Sequence, residues 1–364
     1  MALNPVRVII VAGARPNFMK AAPVLRALQD HPRFEPILVH TGQHYDAAMS
    51  DAFFADLEIP APDVFLGVGA GTHAEQTGRV MVAFERYLAA GPADLVAVIG
   101  DVNSTLGCAV VAAKQGVTVA HIEAGLRSFD RSMPEEINRI VADSLSALLF
   151  TTSADADDHL LREGHAPREI HRVGNTMIDS LERFRERATD AAPLAALGIE
   201  PASYLLVTLH RPANVDDPGR LAAALEALAS LDLPVVFPMH PRTRQAAERA
   251  GLSHLLDALH VLPPAGYPEF LRLQSHARLV LTDSGGVQEE TTMLGVTCLT
   301  FRDNTERPVT ITHGTNRLVG TDPARIATEV RAALEAPPRP RRVPPLWDGR
   351  AAERIVAVLA ERYG

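Results

Sequence analysis

Three carboxylates stand at the ends of chain elements within one stretch, residues 94–139, which reads DLVAVIGDVNSTLGCAVVAAKQGVTVAHIEAGLRSFDRSMPEEINR. Asp101 follows one apolar run, Glu123 closes a second, and Glu135 follows Pro134 at a helix start. Acids carried at element ends on a rigid scaffold are placed to take and return protons. Glu135 has a competing structural use, because Ser132-Met133-Pro134-Glu135 has the spacing of a capping box. Asp101 could likewise cap the helix that carries Thr105. Glu123 has no such use, since it ends an apolar strand just before Gly125. His210-Arg211, after the apolar YLLVTL, adds a candidate acid–base group, whereas His121 reads as a structural residue lining its strand end.

The second kind of chemistry is anion binding. In LTDSGGVQEET (281–291) a strand runs through a glycine turn into a helix start. Glycines let backbone approach a ligand closely, and the N–H groups and positive dipole end of a helix start attract a phosphate. That points to Ser284, Gly285 and Gly286, with Glu289 or Glu290 one turn on to accept from ribose hydroxyls. The alternative is a plain helix capped by Asp283 or Ser284. Arg302, Arg307 and Arg317 follow the next strand, and Arg15 and Lys20 follow the first. Arginine offers a planar fork suited to phosphate oxygens. His44 and His240 also fall at strand ends. The spacings HxxEH, CxxC and DxDxDG are absent, so no metal site is expected. A Walker A loop, a GxGxxG after the first strand and a GxSxG elbow are absent too, which removes P-loop kinases, classical nicotinamide enzymes and serine hydrolases from first place.

Such groups need a scaffold, and the hydrophobic pattern supplies one. Near-continuous apolar runs at 6–11, 36–41, 95–99, 117–122, 148–152 and 171–173 alternate with amphipathic helices, including 18–28, 49–57 and 74–89. That alternation predicts a parallel sheet covered on both faces. It restarts at 204–209, 235–239, 260–262, 279–281 and 297–301. The expected fold is therefore α/β, with two Rossmann-like doubly wound domains facing across a cleft. The first would take 1–173 with a C-terminal helix, 346–364, and the second 174–345. The stretch PPRPRRVPP (337–345) reads as an extended linker, because proline suits neither helix nor sheet interior. Ligands of such sheets bind beyond the carboxyl ends of the strands.

The length of 364 residues fits two domains. A net charge of −9 argues against a nucleic-acid or anionic-membrane binder, which needs a basic surface. Cys108 and Cys298 are too few for a disulfide framework, which suits a reducing cytoplasm. MALNPVRVIIVAG reads as a first strand, not a signal peptide, and no apolar run reaches membrane-spanning length.

Taken in order, ARPNFMKAAP (14–23), TGQH (41–44), GDVNST (100–105), HIEAGLRSFDRSMPEEINR (121–139), GNTMIDSL (174–181), TLHRPANVD (208–216), TDSGGVQEE (282–290), RDNTERP (302–308) and DGRAAERIV (348–356) resemble the non-hydrolysing UDP-N-acetylglucosamine 2-epimerases nearly end to end. The resemblance implies a GT-B-like architecture, a homodimer and a UDP-N-acetylhexosamine substrate. It also implies inversion at C2 without a redox cofactor, by elimination of UDP to a 2-acetamidoglucal and re-addition. By the same resemblance Asp101, Glu123 and Glu135 match the catalytic acids and His210 the active-site histidine. Arg15, Lys20, Ser284, Gly285, Gly286, Glu290 and Arg307 match the UDP-sugar contacts. Alternatives are a related UDP-2-acetamido sugar as substrate, a hydrolysing 2-epimerase, or a GT-B glycosyltransferase. The chain departs from many bacterial members in two places. Pro212-Ala213 follow His210-Arg211 where those members have Arg-Glu, and Tyr45 stands where they often have Arg. Activation by substrate at a second site is accordingly not expected.

Overall fold

A computed structural model describes residues 4–43, 54–190, 192–195, 198–337 and 342–364. His44, Tyr45 and the start of the helix expected at 49–57 lie outside these residues, as does the segment 338–341 of the expected linker. The chain divides into two compact units, Met1–Glu182 with Pro345–Gly364, and Arg183–Pro344.

The first unit is built on seven parallel strands: β1 (Val6–Ala12), β2 (Phe34–His40), β3 (Val64–Phe65), β4 (Leu95–Ile99), β5 (Thr118–Ala124), β6 (Leu148–Thr151) and β7 (Ile170–Arg172). Their order is β3-β2-β1-β4-β5-β6-β7. Helices such as Arg15–Gln29, His73–Ala90 and Asn103–Lys114 connect them. Helices on both faces explain why β1 and β4 are apolar at successive positions, with Ile9, Ile10, Val96 and Val98 all buried. The unit runs past the expected boundary at 173, because helix Thr176–Arg183 is tied into it. Ser180 Oγ donates to the Met19 carbonyl at 2.5 Å, and the Asp179 carboxylate accepts from Ala351 N at 3.0 Å and Ala352 N at 2.7 Å. Asp179 thereby holds the start of the last helix, Ala351–Tyr363. Trp347 is buried beside it, its indole donating to the Thr152 carbonyl at 2.9 Å.

The second unit repeats the plan with β8 (Leu205–Thr208), β9 (Val235–Pro238), β10 (His260–Leu262), β11 (Leu279–Thr282), β12 (Cys298–Thr300) and β13 (Asn316–Leu318), in the order β10-β9-β8-β11-β12-β13, all parallel. Burial along β8 is continuous instead of alternating, with Leu205, Leu206 and Val207 all enclosed. β3 and β13 were not expected; at two and three residues they are too short to carry a period. Cys108 and Cys298 are buried free thiols. Among the described residues no helix is long and apolar enough to cross a membrane.

Both strand orders reverse direction once, between β1 and β4 in the first unit and between β8 and β11 in the second. At such a switch point the connections leave on opposite faces and open a crevice at the carboxyl edge. Arg15, Lys20 and Asp101 follow β1 and β4, while His210, Ser284, Gly285 and Gly286 follow β8 and β11. The topology thus selects the candidate residues before any chemistry is considered.

Candidate active site

In the first unit the turn that carries Asp101 is held at three successive carbonyls. The Ile99 carbonyl accepts from Asn17 Nδ2 at 3.0 Å and Thr105 Oγ1 at 2.8 Å. The Gly100 carbonyl lies 2.8 Å from His121 Nε2, and that of Asp101 accepts from Asn138 Nδ2 at 2.8 Å. A turn so fully bonded presents its side chain with little freedom left to lose. Asn17 also joins β1 to β4, because its Oδ1 accepts from Ala14 N at 3.0 Å. Gly13 is required beside it, since a Cβ there would collide with Ser104 Oγ.

Glu123 is placed by strain. The pairing of β5 with β6 slips between Ile122 and Ala124, and Glu123 takes φ +73°, a left-handed conformation that side-chain-bearing residues rarely adopt. Such a bulge re-aims one side chain and costs roughly 1–3 kcal/mol. The result is a buried carboxylate paired with Lys20, itself buried on helix Arg15–Gln29. Arg15, at the start of that helix, is half-buried, and burial pulls its guanidinium below its usual range against the opposing charge of Asp56.

Helix Pro134–Leu145 turns a polar stripe inward, with Glu136, Arg139 and Asp143 all buried at helical spacing. Arg139 pairs with Asp101 and donates to Glu136 at 2.7 Å. Glu136 also accepts from Ser128 N at 2.9 Å and Phe129 N at 2.8 Å. Burial alone would raise its carboxyl, but these donors hold it below the usual range. Asp143 sits between His121 Nδ1 at 2.6 Å and Arg127 Nη2 at 2.7 Å, and Arg127 continues to Glu163 at 2.6 Å. Burial opposes ionisation of Asp143 too, and its two partners outweigh it. Both His121 nitrogens face acceptors, so His121 does more than line the strand end: it links the turn of Asp101 to this ion network.

The capping roles considered from the sequence are not made. Met133 occupies the cap of helix Pro134–Leu145 without a side-chain bond, and Ser132 bonds instead to Asp130 at 2.6 Å. Proline at the first helical position removes the N–H that would otherwise need satisfying. Glu135 is exposed in the first turn, where the helix dipole favours an acid. Val102, not Asp101, precedes helix Asn103–Lys114.

In the second unit helix Gly285–Leu294 begins directly after β11, with Ser284 at its cap but making no side-chain cap bond. Ser284 thus does not cap the first N–H groups, and such a helix start attracts an anion. Gly285 packs against Arg307, whose Nη1 would lie 2.5 Å from a Cβ placed there. Arg307 is buried between Glu289, 2.7 Å from its Nε, and Glu306, 2.5 Å from Nη1. Arg302 shares Glu306 at 2.7 Å, whereas Arg317 pairs away from this group with Glu329. Glu290 is buried and accepts from Gln274 Nε2 at 2.7 Å, with the buried Tyr267 side chain beside it. Burial pushes its carboxyl up to about 7.

Asp283 is no cap. Its wholly buried carboxylate accepts from His210 N at 3.0 Å, Arg211 N at 2.9 Å and Asn214 Nδ2 at 3.0 Å, and lies 2.8 Å from His210 Nδ1. Against the cost of burial, His210 foremost among these donors holds Asp283 down to about 2. Asp283, Arg139, Glu136 and Asn17 were missed as site residues. The spacing 136, 139, 143 on a helix whose Ile137 and Leu145 are exposed was a legible signal for two of them. For Asp283 and Asn17 the partners lie 73 and 82 residues away, and nothing local announces them.

Anion-accepting N–H groups and buried acids, both at switch points, fit a nucleotide-linked substrate, and the comparisons agree. The profile described as UDP-N-acetylglucosamine 2-epimerase matches residues 26–360. A UDP-N-acetylglucosamine 2-epimerase of Methanocaldococcus jannaschii is 40% identical over 98% of both chains. A UDP-2,3-diacetamido-2,3-dideoxy-D-glucuronate 2-epimerase of Pseudomonas aeruginosa is 44% identical, over 90% of this chain and 92% of the relative. The crystal structure of M. jannaschii UDP-GlcNAc 2-epimerase in complex with UDP-GlcNAc and UDP superposes with a TM-score of 0.90 at 40% identity, over 98% of this chain and 100% of the other. The fold class is accordingly GT-B-like, and the chain belongs to the UDP-N-acetylglucosamine 2-epimerase family.

Proposed function

We propose that the protein interconverts UDP-N-acetylglucosamine and UDP-N-acetylmannosamine by inversion at C2. The observation that carries this reading is Glu123, a strained, buried carboxylate at a bulge, set against the rigid turn of Asp101 in a chain of this family. On this reading the start of helix Gly285–Leu294 and Arg307 hold the diphosphate, with Glu290 toward the ribose. The carboxylates at the ends of β4 and β5 move the C2 proton, with Lys20 and Arg15 adding positive charge. A carboxylate removes that proton, the C1–O bond breaks with its electron pair leaving on UDP, and a C1=C2 double bond forms. UDP oxygen then re-adds to C1 while a proton is delivered to the opposite face of C2. The C2 proton is poorly acidic, so stabilising the departing diphosphate is as necessary as the base. Asp101 and Glu123 flank C2, Glu135 assists, and His210 serves the leaving group. The homodimer implied by the family resemblance and the cytoplasmic location suggested by the two cysteines belong to the same reading.

The test is incubation with UDP-N-acetylglucosamine in D2O, followed by NMR. Formation of UDP-N-acetylmannosamine with deuterium at C2, slowed in Asp101→Asn and Glu123→Gln, is expected. Exchange at the parent rate in both variants would remove them from proton transfer, and free N-acetylmannosamine with UDP would mean hydrolysis. The P. aeruginosa relative favours one second reading, a 2,3-diacetamido glucuronate as the sugar. Faster turnover of that nucleotide sugar in the same assay would select it.

A further inference from the structure

The contact between Asp283 and His210 has a consequence for which nitrogen of the ring can react. Oδ2 of Asp283 accepts from His210 N, Arg211 N and Asn214 Nδ2 at 2.9–3.0 Å, while Oδ1 shares the His210 N–H at 3.2 Å and faces His210 Nδ1 at 2.8 Å. An ionised carboxylate only accepts hydrogen bonds. The proton in that contact therefore belongs to Nδ1, whatever charge the ring carries. Nε2 lies on the other side of the ring, and the side chain is 42% exposed, so Nε2 is the nitrogen open to a ligand. The His210 ring also stands 5.9 Å, centroid to centroid, from that of His240, whose Nδ1 accepts from Arg242 N at 3.2 Å. Asp283 itself, being wholly enclosed, touches no ligand and acts only through what it holds.

We propose that Asp283 is a positioning residue for the reaction: it locks His210 with its proton on Nδ1 and presents Nε2 as the nitrogen that exchanges a proton with the nucleotide sugar. This rests on the function proposed above for its last step, but the protonation pattern of the ring does not. Asparagine at 283 has one oxygen where the carboxylate has two. The three donors gathered at Oδ2 compel that oxygen to their side and turn the NH2 group toward His210 Nδ1. The ring must then accept at Nδ1 and carry its proton on Nε2, the reverse of the parent.

Ring 15N chemical shifts of histidine-labelled protein read this directly. In the parent, the neutral His210 ring is expected to show a protonated Nδ1 and a bare Nε2, and in Asp283→Asn the two exchange. The variant is expected to lose kcat by a factor on the order of 10² to 10⁴, as when an orienting carboxylate is lost from beside a catalytic histidine, with KM within a few-fold of the parent. In the His210→Ala background the same substitution should cost nothing more, because its route of action is gone. A parent ring with bare Nδ1 overturns the proposal without need of any variant, even if Asp283→Asn fails to fold. An equal loss of kcat in both backgrounds also overturns it, leaving Asp283 a purely structural group. If the ring pattern holds but no C2 exchange occurs in any background, the proposed function fails and the positioning of Nε2 stands.

Discussion

Replacing Glu290 by glutamine should change how the stability of the ligand-free protein follows pH. Glu290 is wholly buried beside Gln274, Tyr267 and Glu289, and burial raises its carboxyl from 4.5 to about 7. The folded protein thus keeps the proton up to about 7, while the unfolded chain releases it near 4.5. Folding takes up a proton in that window, so stability falls as pH rises through it and levels off above about 7. Each pH unit of such a window is worth about 1.4 kcal/mol, which makes the whole effect about 3 kcal/mol. Glutamine has nearly the same shape, keeps an oxygen for the Gln274 amide and cannot ionise. Urea unfolding followed by circular dichroism should therefore show Glu290→Gln gaining about 2.5 kcal/mol on the parent between about pH 5 and about pH 8. Taking the difference between the two proteins cancels the titration of distant groups. A difference that stays constant across that range would refute the reasoning, because it would mean that the folded carboxyl does not titrate there.

Asp143→Asn removes the acid that bridges His121 and Arg127 and leaves Arg127 with Glu163 as its carboxylate partner, at an expected cost of about 1–3 kcal/mol. The chain's single tryptophan, Trp347, is buried in this unit, so its fluorescence during urea unfolding reads the loss; less than about 1 kcal/mol would contradict the network. Glu135 and Glu136 should part company: Glu136→Gln weakens the bonds to Arg139, Ser128 and Phe129 and should destabilise by about 1–3 kcal/mol. Exposed Glu135→Gln should stay within about 0.5 kcal/mol of the parent while slowing C2 exchange, and the opposite ranking in thermal unfolding would sink the assignment.

Much of the frame was legible in the chain. The strands at 95–99 and 260–262 were placed to the residue, and the remaining principal strands to within a few, because burial on both faces writes a parallel strand as an unbroken apolar run. The glycines expected in a turn are instead the first two residues of helix Gly285–Leu294, where a Cβ at 285 would crowd the end of the Arg307 side chain. The capping roles were misjudged because Ser132 and Asp283 find better partners, in Asp130 and His210. A short polar side chain serves a cap only when nothing stronger lies within reach.

By itself the sequence determined the two parallel sheets, the carboxyl-edge location of the acids and arginines, and, through its motifs, the family. These depend on local spacing, which a linear chain carries intact. Only the tertiary structure decided which acids are buried, which is bulged out of register and which are held by cations. Glu123 acquires its strain from pairing with β6, Asp101 its guanidinium partner from a helix that begins beyond the next strand, and His210 its oriented ring from Asp283 on a different strand end. Reactivity at these groups is set by charge and solvent exclusion in three dimensions, and residues far apart in sequence supply both.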